Sequence, residues 1–181
     1  MKKNILIYGL ILGSVLCINM IFMVNLCYTN PDFESNAFLG YGTMLVILSL
    51  IFFGVRNYRN KELNGYISFG KALKTGTIIT LISATLYVLV WLIYYYVFVP
   101  DFIDVYIPHV LNDAVKGGAS ATELADLSTD MANFKEMYKN PLFVIMITYF
   151  EVLPVGLIVA LISALILKKK PKHEPNLVDR S

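Results

Sequence analysis

The chain has 181 residues, 57% of them apolar and 15% charged, where soluble domains carry about 45 to 50% apolar and about 25% charged residues. That balance excludes an ordinary soluble domain, and a net charge of only +2 with no basic block among aromatics removes the electrostatic footprint of a nucleic-acid binder. Cys17 and Cys27 lie in or beside one apolar run, so neither a disulfide framework nor a zinc site can be built from them.

Four long apolar runs follow one another: 5–26, 38–55, 75–99 and 142–167. About 20 helical residues cross about 30 Å of hydrocarbon, so each run is of spanning length. Together they hold 91 residues and one charged side chain, Glu151. The expected fold class is therefore all-α, an integral membrane four-helix bundle with the lipid bilayer as its first partner.

Span one follows Lys2 and Lys3 and offers no small-x-small cleavage site, so it reads as an uncleaved helix. Its Gly9 and Gly13 form a GxxxG pair that permits close helix approach, within the chain or in a homo-oligomer. Arg56, Arg59, Lys61, Lys71 and Lys74 separate spans two and three. Within that connection, 66–75 reads as an interfacial anchor, with a lipid-headgroup site as the alternative. At the far end of span three, Trp91, Tyr94, Tyr95, Tyr96 and Phe98 form an aromatic belt at the outer interface.

Residues 100–141 are too many for a structureless connection in a protein of this size. Gly117 and Gly118 divide the stretch, and Ser120 with Glu123 three residues later spells a capping box. Leu124, Leu127, Met131, Phe134 and Tyr138 follow at heptad-like spacing, which predicts an amphipathic helix of about 19 residues. Before the glycines, Phe102, Val105, Tyr106, Val110, Leu111 and Ala114 give a less regular face, interrupted by Pro108. The simplest architecture is a helical hairpin standing on spans three and four outside the membrane, with its two apolar seams facing each other. A seam for a protein partner is the alternative. His109, with Asp113 one turn later and Asp104 five residues earlier, reads as an exposed ion pair lacking the third ligand of a metal site.

In span four, a charged Glu151 costs about 2.5 to 3.5 kcal/mol at the centre of a helix, so such residues are functional candidates. Ten residues from Pro141 put it about 15 Å deep, and Asn19 and Tyr87 fall at compatible depths. No Lys or Arg is at hand, which favours a neutral acid able to donate a hydrogen bond. Pro154 leaves the carbonyl of Phe150 without its intrahelical donor. Two roles follow for this intramembrane polar set: a structural clamp between helices, or a proton site in a transport path. Gly156, Ala160 and Ala164 make a small-residue ladder beside it. No nucleophile has a companion His in the spans, and no metalloprotease, paired-Asp or phosphate-loop pattern occurs, so neither enzyme activity nor a cofactor is expected.

Of 15 basic residues, 12 lie before span one, between spans two and three, or after span four, where 168–181 is a basic tail containing His173. The opposite loops carry nine acids and only Lys116, Lys135 and Lys139. The positive-inside rule then makes both termini cytoplasmic in a multi-pass protein.

Several blocks carry a resemblance: IFFGVRNYR at 51–59, NGYISFGKALKTG at 64–76, FKEMYKNP at 134–141 and FEVLPVG at 150–156. Over nearly the whole chain, from about Tyr8 to Lys170, the sequence resembles the bacterial membrane-protein family catalogued as domain of unknown function 4199, of Bacteroidota type. The resemblance implies four inner-membrane helices with a periplasmic helical loop, and it implies no activity. The leading functional expectation is a non-enzymatic accessory or scaffold subunit whose hairpin meets another protein. The alternative is a small oligomeric transporter or proton-coupled carrier using Glu151.

Overall fold

The computed structural model describes residues 2–30, 33 and 37–170. Asp32, Glu34 and the tail 171–181, with His173, lie outside the described residues. Among the described residues four helical stretches are long and apolar enough to cross a membrane: Lys3–Thr29, Gly40–Glu62, Phe69–Phe98 and Pro141–Leu167. The fold is all-α, with a helical hairpin between the third and fourth spans.

Span one is α1 (Lys2–Thr29). Span two is built from α2 (Ala37–Leu48) and α3 (Leu50–Glu62), which meet at Ser49. The Ser49 hydroxyl donates to the Val46 carbonyl at 2.6 Å, the kind of back-bond that competes with the helical ladder and loosens it locally. Asn64 and Gly65 then take positive φ (50° and 83°) and reverse the chain, a conformation these two residue types tolerate best. Ile67 and Lys169 exchange both backbone hydrogen bonds, at 3.0 and 2.8 Å, and tie this turn to the end of span four. Ser68 caps α4 (Phe69–Ile93), which continues through a five-residue π turn, Tyr94–Phe98.

Two sequence expectations need correction here. Helix α3 runs on to Glu62, through Arg56, Arg59 and Lys61, because charged residues with long stems can snorkel without ending a helix. The helix of span three begins at Phe69, so 69–75 is continuous with that span and not a separate segment before it, with Ala72 and Thr75 buried.

Helix α4 is the centre of the bundle, held between α1 and α7 (Pro141–Leu167). Small residues set both contacts. A Cβ added at Gly9 would lie 2.7 Å from Ile82, and one at Gly13 2.9 Å from the Leu86 side chain. On the other side Gly76 fits against Ala160, and Gly156 against Thr80. Ala160 and Ala164 are fully buried. The small-residue pattern, which allowed either intramolecular or intermolecular packing, is used within the chain; without a hydrophobic driving force in lipid, such close approach is how helices gain contact. Thr80 and Ser83, also fully buried, donate to the carbonyls of Gly76 and Thr80 at 3.0 Å, which satisfies both hydroxyls inside their own helix.

The hairpin consists of α5 (Phe102–Lys116) and α6 (Ala121–Tyr138). Gly118, at φ 83°, follows the end of α5, and Ser120 and Glu123 form the expected capping box. The Ser120 amide and hydroxyl hold the Glu123 carboxyl below its ordinary value. Helix α5 passes through Pro108 unbroken, a correction to the sequence reading of this region. The fixed φ of proline suits a helix, and its ring lies on the exposed side, where the released carbonyl of Asp104 can meet water. An ion pair between Lys135 and Asp104 links the two hairpin helices.

Candidate functional site

The α6 seam is the sheltered face of its helix, and Leu124, Leu127, Met131 and Phe134 are half-buried along it. Tyr138, at its end, is 7% exposed and fixes the hairpin to span three. The Trp91 indole donates to the Tyr138 hydroxyl at 2.9 Å, and the Tyr95 ring meets the Tyr138 ring edge-on at 5.1 Å. Trp91 and Tyr95 are therefore turned inward, whereas Tyr96 and Phe98 keep the exposed position expected of an aromatic belt. Tyr138→Phe would leave the Trp91 N–H without this partner. Its thermal midpoint in detergent should fall by the equivalent of about 1 to 3 kcal/mol, the cost of an unsatisfied buried donor.

Helix α5 lies across the end of α1. His109 donates from Nε2 to the Cys27 carbonyl at 3.1 Å and meets the Phe33 ring edge-on at 5.6 Å. His109 is thus half-buried rather than exposed and docks the hairpin on span one. Tyr28 adds a second tether, donating to Asp101 at 2.7 Å. The hairpin is thus not a free-standing pair of facing seams. Ile103, absent from the expected α5 face, is its most buried residue at 3% exposure.

Beneath the hairpin lies a cavity of about 340 Å³, within the range of small-molecule sites. Asn19, Met20, Met23, Val24 and Cys27 of α1 form one wall, and Gly40, Tyr41 and Met44 of α2 another. Tyr87 and Trp91 enter from α4, and Thr148 and Glu151, one turn apart on a single face, from α7. Phe102, Ile103, Tyr106, Phe134 and Tyr138 make the roof. Burial raises the phenols of Tyr106 and Tyr138 above their ordinary value, so both stay protonated.

The structure brings Asn19, Tyr87 and Glu151 to this one cavity. Pro154 does not join them; it sits on the exposed face of α7, and the helix continues through it. Among the described residues the Glu151 carboxylate makes no hydrogen bond to a neighbouring helix, and its surface opens into the cavity. Among the described residues the lining contains one acid and no Lys, Arg or His. Sequence reasoning missed Thr148, which stands three residues before Glu151 and donates to the Val144 carbonyl at 2.7 Å. The helical spacing from Glu151 was the available signal. It also missed Met20, Met23 and Met44, which look like ordinary span residues until α2 is placed beside α1.

One family of proteins matches the chain over residues 7–169. The chain belongs to the family described as protein of unknown function (DUF4199). Neither a curated protein nor a solved structure matches it. In this DUF4199 protein the matched region contains all four spans, the hairpin and the cavity, apart from the first residues of α1 and the last described residue, Lys170. The family assignment carries no activity, so the chemistry must be argued from the cavity.

Proposed function

We propose that this DUF4199 protein is a non-enzymatic carrier that receives a small amphiphilic molecule in the cavity at Glu151. The observation that carries this reading is the placement of the one intramembrane acid: it faces open cavity rather than a hydrogen-bonding partner on a neighbouring helix. A clamp needs such a partner, and ligand pockets combine apolar walls with a few convergent polar groups. The walls here are aromatic and methionine side chains, the polar groups Glu151, Asn19, Thr148 and the tyrosine hydroxyls. The scaffold reading has less support, because the hairpin surface that would meet a partner packs on the protein's own bundle through Tyr138 and Ile103.

The test is a saturable site for 1-aminoanthracene, a neutral fluorophore that brightens in apolar pockets. Detergent-solubilised wild type should bind one equivalent, and Met20→Trp, which places an indole in the cavity wall, should reduce binding at least tenfold. Equal binding by both proteins would contradict the carrier reading.

The bilayer in question is, in this proposal, a bacterial inner membrane, with the hairpin periplasmic and both termini cytoplasmic. Support comes from charge: Arg56, Arg59, Lys61, Lys71, Lys74 and Lys168 to Lys170 gather at the end of the bundle away from the hairpin, and acids dominate the hairpin. With Cys17 and Cys27 replaced, a cysteine at Gly117 should react with a membrane-impermeant maleimide in cells whose outer membrane is permeabilised. One at Lys61 should not. The reverse pattern would invert the proposed topology.

A further inference from the structure

We infer that the cavity at Glu151 takes a lipophilic organic monocation, an amine or quaternary ammonium group carried on an apolar body. This rests on the carrier reading and adds the charge of the ligand to it. The starting point is electrostatic. An isolated carboxylate in an apolar environment is unfavourable unless it is neutralised or paired, and among the described residues no basic side chain lines this cavity. Among the described residues the other titratable groups facing it are Tyr41, Tyr87, Tyr106 and Tyr138 from α2, α4, α5 and α6, and Cys27 from α1. These phenols and the thiol are neutral in their ordinary protonation state at pH 7, so they supply no countercharge.

The walls favour the same answer. Aromatic rings attract a cation over their faces, most strongly when water is excluded, and cages of such rings are a recurring way of holding quaternary ammonium groups. Tyr87, Trp91, Phe102, Tyr106, Phe134 and Tyr138 are among the aromatic rings on the lining. Met20, Met23 and Met44 add polarisable thioethers able to adapt to an apolar body. An anionic ligand would meet the Glu151 charge with nothing to offset it. A dication would leave one charge unpaired, because among the described residues the lining has a single acid. One positive charge on an apolar frame satisfies both the carboxylate and the rings.

The experiment displaces 1-aminoanthracene from the detergent-solubilised full chain with three probes of matched size: benzyltrimethylammonium, its uncharged carbon isostere neopentylbenzene, and phenylmethanesulfonate. The cation should displace the fluorophore at about tenfold lower concentration than the isostere, the scale of a desolvated cation–ring attraction. The sulfonate should be the weakest. In Glu151→Gln the advantage of the cation over neopentylbenzene should shrink. If that variant fails to fold, the ranking of the three probes on wild type decides alone. Equal potency of cation and isostere, or a stronger sulfonate, overturns the inference and leaves the carrier reading standing. Absence of any saturable fluorophore site overturns both.

Discussion

Gly156→Val should lower the stability of the bundle more than any other single small-residue change. A Cβ at position 156 runs into the side chain of Thr80, itself fully buried on α4, so neither neighbour has room to give. Overpacking of this kind costs about 1 to 3 kcal/mol or more in a close-packed interior, and here it acts at the crossing of α4 and α7, the most extensive helix contact of the fold. Gly→Ala by itself favours a helix by up to about 1 kcal/mol, which makes Gly42 a useful control: nothing lies within 4 Å of a Cβ built there. Gly42→Ala should melt at or slightly above wild type, and Gly156→Val well below it. Indistinguishable midpoints would mean that α4 and α7 do not cross at this pair.

Ile103→Asp should detach the hairpin from the bundle. Ile103 is the deepest residue of α5 and part of the cavity roof, and a charge buried there without a partner costs several kcal/mol. Leu127→Asp, on the half-buried α6 seam, should cost about 1 to 3 kcal/mol, as a less desolvated polar group does. Limited proteolysis reads the difference. Cleavage between α5 and α6 should be fast in Ile103→Asp, slower in Leu127→Asp and slowest in wild type, and 1-aminoanthracene binding should fall in the same order. A more sensitive Leu127→Asp would make the hairpin a self-contained unit that merely rests on the spans.

The spans and hairpin were legible because each rests on a local rule. Lipid demands long apolar runs almost free of charge, and the capping box at Ser120 and Glu123 and the spacing from Leu124 to Tyr138 are set within a few residues. The depth of Glu151, Asn19 and Tyr87 could likewise be counted along each helix. What could not be counted was rotation about the helix axes. That is fixed by contacts such as Gly9 with Ile82 and Gly76 with Ala160, which pair residues far apart in sequence. The same gap hid the inward turn of Trp91 and Tyr95, since belt aromatics and pinning aromatics have the same composition until Tyr138 arrives to meet them. Pro108 was misread for a different reason: proline signals a break only where the released carbonyl has no alternative partner, and Pro108 lies on an exposed face. The role of His109 depended on the Cys27 carbonyl, a backbone group that no side-chain motif announces.

The most direct measurement is chemical modification of Glu151 by dicyclohexylcarbodiimide, an apolar reagent selective for carboxyl groups in water-poor surroundings, followed by peptide mass spectrometry on the membrane-embedded protein. A carboxyl that faces a reachable cavity should give an adduct at Glu151. That adduct should be strongly reduced in Met20→Trp and protected by benzyltrimethylammonium, while the exposed hairpin acids Asp126 and Asp130 stay unmodified. No adduct at Glu151, or one formed equally in wild type and Met20→Trp, would contradict the claim that this acid serves a ligand-accessible cavity.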